Sequence, residues 1–230
     1  MLYTEESARA AVRNREGKRV FYLGNGDRLT AAARAFLERE NIAILPAEAA
    51  RPERYRLLSG GYTEEKPEHL THLNGDVLVP KTHPRIAFRG AVDTLEAELL
   101  LCGPICGPAR RAQVAEVLDA VRLLLRHEVL DEPVPARTLC GLSEAELRRR
   151  SHFPQEFYGQ PHFMPAVTDS PALLQLNRAR CAARAAELAA AAAFTDRDGR
   201  PQREDLLRAM NRLSSMLYLL MIQEKAAQKE

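Results

Sequence analysis

No tryptophan occurs in this chain of 230 residues, and it has only four cysteines. Cys102, Cys106, Cys140 and Cys181 are too few and too scattered to staple a chain of this length, which excludes a disulfide scaffold and points to a reducing, cytoplasmic setting. Long apolar runs are missing too. The most apolar stretch, MLYLLMI, falls far short of the roughly 20 residues that span a bilayer. The opening MLYTEESARAAVRNREGKR mixes charges throughout, so it reads neither as a secretory signal nor as an anchor. An excess of one charge sign is also absent. With 28% charged residues and a formal net charge of +2, the chain is no general polyanion binder, and any basic site must be local. Neither nucleic acid nor membrane is expected as a partner. What is present is length enough to bury one main core, with room for an appendage.

The segment KRVFYLGNGDRLTAAARAFLERENIAIL reads as a small α/β unit: a strand, a turn, a helix capped by Thr30 and running to Glu40, and a second strand IAIL. Its GNGD lacks the third glycine of a dinucleotide turn and the lysine of a triphosphate loop, so an ordinary turn is expected. From about residue 50 to residue 84, Gly, Pro and polar residues dominate, which predicts a long, largely irregular connection. Beyond it, RIAFRGAVDTLEAELLLC, ARRAQVAEVLDAVRLLLRHEVL, SPALLQLNRARCAARAAELAAAAAF and QREDLLRAMNRLSSMLYLLMIQEK all carry apolar residues at helical spacing and predict a bundle. A short helix capped by Ser143 and an aromatic, proline-punctuated loop fall between the second and third of these.

Several polar positions do not fit a plain bundle. Arg180, Arg184 and Glu187 fall at i, i+4 and i+7 and share one stripe of a helix made mostly of alanine. The stripe suits a wet, salt-bridged face or an inward site for an anion equally well. Asn211, Ser214, Ser215 and Tyr218 share a face of the last helix, where they can bond a neighbouring helix or a ligand. Asp93 sits within an apolar helix, where a carboxylate is costly without a cation; Arg180 or Arg184 is its natural partner. Lys81, His83, Arg85 and Arg89 cluster where that helix begins, an end that favours anions.

Taken in order, LTAAARAFLERENI, KPEHLTHLNGDVLVPKTHPRIAFRGAVDTLEA, GLSEAELRRRSHFP and NRLSSMLYLLMI resemble the ethanolamine-utilisation cobalamin adenosyltransferases, which belong with the ATP:corrinoid adenosyltransferases of the propanediol-utilisation type. The resemblance runs from about Leu29 to near the C-terminus. It implies a mainly α fold: a five-helix bundle over residues 81–230, with a small α/β appendage and long connecting loop over residues 1–80. It implies that Arg180, Arg184, Glu187 and Asn211 contact ATP, that Asp93 pairs with the first of these arginines, and that Lys81 touches the triphosphate, with Arg85 beside it. Arg180, Arg184 and Asp93 are the residues expected to carry catalysis. Two departures stand out. The Gly/Thr-rich phosphate loop of the propanediol type is absent, which leaves KPEHLTHL as a substitute lid. The histidine-and-cysteine metal motif of some ethanolamine-type members is replaced by RYRLLSGGYTEEKPE, so a structural metal of that kind is not expected. Cys102 and Cys106 in CGPIC are weak alternative ligands, since they lack a second pair; His69 and His72 fit better at the nucleotide entrance.

The implied reaction moves the 5′-deoxyadenosyl group of ATP to cob(I)alamin and releases triphosphate, with Mg²⁺ assisting. Co(I) is itself the nucleophile, which explains the lack of a catalytic triad; the protein supplies alignment and positive charge on the leaving group. The family makes Co(II) reducible by displacing its lower axial ligand with apolar side chains. His152, Phe153, Phe157, Tyr158 and Phe163 are the corrinoid-wall candidates, with His162 nearby. A reduced flavin carrier as electron donor, a homo-oligomer (trimer favoured over dimer), and residence in a bacterial microcompartment with its ethanolamine lyase are implied by the family alone. The competing reading is a non-catalytic helical protein of the microcompartment that holds a corrinoid or nucleotide.

Overall fold

A computed structural model describes residues 1–15, 17–47 and 55–228. The chain divides into two compact units, Met1–His83 and Pro84–Glu230.

In the first unit, β1 (Leu2–Tyr3) leads into α1 (Glu5–Ala11), which opens with a capping box between Thr4 and Ser7. Strands β2 (Arg13–Arg15) and β3 (Lys18–Leu23) are antiparallel. After the short β4 (Arg28–Leu29), helix α2 (Ala31–Arg39) starts at Thr30, whose hydroxyl accepts from the Ala33 amide, and leads to β5 (Ala43–Pro46), parallel to β3. This is the expected strand–helix–strand unit. Its core gathers Ala8, Val12, Phe21, Ala33, Phe36, Leu37 and Ile42. The GNGD segment is a turn in which the Gly24 amide donates to Asp27, and Gly26 takes a positive φ of 86°.

The irregular connection expected over residues 50–84 is corrected. Its first residues, up to 54, lie outside those described, but β6 (Tyr55–Leu57), β7 (Tyr62–Thr63), β8 (Leu70–Asn74) and β9 (Val77–Pro80) form one sheet in the order β7-β6-β9-β8. Short strands of two to five residues were hidden by the density of Gly, Pro and polar residues. The usable signal was Gly75-Asp76 between HLN and VLV, a dipeptide suited to tight hairpins; β8 and β9 pair antiparallel across it, with Asn74 opposite Val77.

The second unit is the helical bundle. Long helices α3 (Pro84–Ile105), α4 (Pro108–Leu130), α7 (Pro171–Phe194) and α8 (Glu204–Ala227) are joined by shorter α5 (Glu144–His152) and α6 (Pro154–Tyr158). Helix α7 packs on α3 and α8, and α4 completes the ring by packing on both α3 and α8; α5 and α6 lie on α8. A mainly α fold with a small N-terminal α/β part is what the chain adopts. On α7, Ala179, Ala183, Ala186 and Ala190 are wholly buried, a ridge of small side chains that admits close helix neighbours. Between α7 and α8 the chain turns back through a short hairpin in which Thr195 bridges Pro201 and Gly199 takes a φ of 80°. Among the described residues no helix is long and apolar enough to cross a membrane.

Candidate functional site

Arg180, Arg184 and Glu187 each follow one of the buried alanines of α7, so their stripe is rotated by one residue, about 100°, from the packed ridge. This offset is what the sequence alone left open: the stripe is neither sealed in the core nor on the far side of the helix. Arg180 and Glu187 are half-buried and Arg184 is exposed. Glu187 reaches across to α8, where Asn211 Nδ2 donates to it at 2.7 Å and the Ser214 hydroxyl at 3.3 Å. Ser214 and Ser215 also donate to the Asn211 carbonyl, both at 3.1 Å. Asn211 and Glu187 thus belong to one α7–α8 network, and the helix–helix bonding considered for these polar positions is present.

The arginines are engaged differently. Both Nε and Nη2 of Arg180 donate to Asn177 Oδ1, at 3.3 and 3.0 Å, a neutral acceptor one turn back. Among the described residues no carboxylate lies within ion-pair distance of Arg180 or Arg184. The partner expected for them, Asp93, is an exposed residue of α3 and pairs with neither, which corrects both its expected burial and its ion pair. The charged link between α3 and α7 is instead Glu98, which accepts from Arg178 Nη2 at 2.6 Å and Gln175 Nε2 at 2.7 Å; those bonds hold its carboxyl below the usual carboxylate range.

The basic cluster at the start of α3 is also resolved. Arg85 Nε donates to Glu128 Oε1 at 2.5 Å, and Arg89 Nε donates to Glu128 Oε2 at 2.7 Å. The Glu128 side chain is fully buried, and its backbone carbonyl takes a further bond from Arg85 at 2.8 Å. Arg85, expected beside the triphosphate, is therefore held by a carboxylate on α4. Glu128 is the important residue that sequence reasoning missed; in LLLRHEVL nothing separates it from an ordinary surface glutamate. Lys81, His69 and His72 belong to the first unit. Lys81 is exposed, its amide extending the β8–β9 ladder to His69, while His72 Nδ1 sits 3.1 Å from the Gly75 carbonyl.

The aromatic loop is partly where it was expected. His152, Phe153, Pro161 and His162 line an open cleft of about 400 Å³ at the start of α6. Phe157 does not line it; its ring is covered by the guanidinium groups of Arg149 and Arg150, at 5.0 and 5.3 Å. Tyr158 and Phe163 are half-buried and pack against the bundle core. Beyond the cleft, Met164 stands 88% exposed, an apolar side chain the sequence reading passed over. Cys102 and Cys106 are buried, and burial pushes the Cys102 thiol up to about 12 and raises that of Cys106. Among the described residues no three His, Cys, Asp or Glu side chains gather as a metal would require.

A family model described as cobalamin adenosyltransferase matches residues 61–224. The chain belongs to the cobalamin adenosyltransferase family. Within that family it is 34% identical over 158 residues to the corrinoid adenosyltransferase EutT of Salmonella typhimurium, and 32% identical over the same length to EutT of Escherichia coli. Each match covers 69% of this chain and 59% of the relative, so the chain spans a little over half the length of the curated relatives it matches. The fold is similar to that of two variants of a PduO-type ATP:corrinoid adenosyltransferase from Lactobacillus reuteri, each solved in complex with cobalamin and ATP. The TM-scores are 0.52 and 0.53 at 17% and 18% identity, covering 70% of this chain and 91% and 89% of those chains.

Proposed function

We propose that this adenosyltransferase-family chain moves the 5′-deoxyadenosyl group of ATP to a reduced corrinoid and releases triphosphate, in the service of ethanolamine breakdown. The observation that carries the reading is the asymmetry on α7: Glu187 is satisfied by Asn211 and Ser214, while Arg180 and Arg184 present guanidinium groups with no carboxylate against them. Two such groups one turn apart match the oxygens of a triphosphate. The names of the EutT and PduO-type relatives supply the acceptor and the nucleotide.

In this reading Arg180 and Arg184 hold the departing triphosphate and the Glu187–Asn211 pair orients the nucleoside. Asp93, exposed on α3, is left for the face of a second copy of the chain, in keeping with a homo-oligomer, a trimer before a dimer. Mg²⁺ would supply further positive charge to the departing triphosphate that Arg180 and Arg184 hold. Phe153, Met164 and Pro161 offer the apolar edge for the corrin. A reduced flavin carrier as electron source, and a place in the cytoplasm within a microcompartment beside the ethanolamine lyase, complete the proposal.

The test is direct. Cob(I)alamin generated under reducing conditions, with ATP and Mg²⁺, should lose its absorbance on addition of the protein and yield a light-sensitive cobalt–carbon product. No loss above background would overturn the proposal and leave a binding protein in its place.

A further inference from the structure

We infer that Tyr218 and His162 form a positioning pair that fastens the segment ahead of α7 onto α8 and so fixes the corrinoid cleft relative to the nucleotide residues, an inference resting on the function just proposed. The Tyr218 hydroxyl lies 2.7 Å from His162 Nδ1, and the two rings stack at 10° with centroids 5.7 Å apart. His162 Nε2 lies 3.2 Å from the His152 carbonyl. A carbonyl can only accept, so Nε2 carries the proton, Nδ1 accepts, and the tyrosine hydroxyl donates. The phenol therefore holds His162 by bond and by stack, and the imidazole ties that segment on to the last residue of α5.

The position gives the pair its meaning. His162 and His152 border the cleft, whereas the Tyr218 phenol, pushed up by burial, lies close enough to Arg180 to feel its charge. The far end of the segment has its own tether, an ion pair between Asp169 and Lys225. Between these anchors Met164 and Val167 are 88% and 97% exposed. Those two side chains bury too little area to hold this stretch by packing, so beyond Phe163, which packs on the core, its height is set by polar anchors.

Tyr218→Phe keeps the ring and its stack and removes only the hydroxyl. It is expected to raise the KM for the corrinoid about tenfold, the effect of one partly buried hydrogen bond, and to change the visible spectrum of bound cob(II)alamin. The KM for ATP should stay within about twofold. His162→Asn, which returns an acceptor near the Nδ1 position, should recover part of the loss that His162→Ala shows. Amide exchange over residues 160–168 should speed up about tenfold in Tyr218→Phe, whatever the activity. Unchanged exchange, or equal rises in both KM values, overturns the pair's positioning role. An unsubstituted protein that fails to adenosylate cob(I)alamin while Tyr218→Phe still loosens the segment overturns the function and leaves the pair standing.

Discussion

Two sets of arginines, one turn apart in each case, sit at opposite sides of the question. Arg85 and Arg89 on α3 converge on the buried carboxylate of Glu128, with ionic contacts of 2.5 and 2.7 Å. Arg180 and Arg184 on α7 have the same spacing, yet the first leans on an asparagine and the second stands exposed. A guanidinium that is taken out of water must be neutralised where it lies, which makes the first pair part of the bundle's architecture. Charge left unneutralised at a half-buried position is free to meet an incoming anion. Spacing alone cannot separate the two cases; the partner does.

The sharpest way to break this contrast is to remove Glu128. Glu128→Ala leaves two partly buried arginines without their anion and should cost about 3 to 5 kcal/mol of stability, read as a large fall in Tm, with the KM for ATP unchanged in the protein that remains folded. Arg184→Ala should do the opposite: a rise in the KM for ATP of about thirtyfold, worth about 2 kcal/mol for charge-assisted bonds, with Tm held within a degree or two. An equal Tm loss in both variants would erase the distinction.

Arg203 extends the comparison to pH. Burial alone would raise the Asp205 carboxyl, but bonds from Arg203 and from the Val134 and Leu206 amides overcome it and bring the group down to about 2. Because the folded value is depressed below the ordinary one, this contact stabilises fully above about pH 4, and its contribution is lost as pH falls toward 2. With part of the side chain exposed, the loss should be roughly 1 to 2 kcal/mol. Asp205→Asn should flatten that acid limb of an unfolding titration. The smallest expected effect concerns cysteines. At pH 7.5 Cys181, exposed on α7, should take up an alkylating reagent first, while Cys102 and Cys140, both pushed up to about 12 by burial, should stay unmodified until the protein unfolds.

Much of this was legible beforehand, and for identifiable reasons. The four long helices declare themselves because apolar residues recur at 3.6 spacing over more than five turns, a signal that local chemistry rarely mimics. Thr30 and Ser143 cap helices where expected because a hydroxyl before an apolar-periodic run has one dominant use. The β6–β9 sheet was not legible because strands this short carry no period. At the site, Glu187 and Asn211 could each be singled out as polar positions on long helices, though their bond to each other was not foreseen. Asp93 could not be placed, because facing direction depends on how α3 is rotated against α7, which periodicity in a helix rich in leucine and alanine leaves loose. Glu128 was invisible for the same reason, and the surroundings of Phe157 were not legible because an aromatic ring is equally at home under a corrin or under two guanidinium groups.

The hairpin between α7 and α8 carries a consequence in time. Glu187 lies seven residues before the last residue of α7 and Asn211 seven residues after the first of α8, so an antiparallel return brings them level with each other. Contacts so local in sequence close early when a helical protein folds. The Glu187–Asn211 pair, to which the proposed function gives the nucleoside, is therefore expected to close before α3 and α4 find their places.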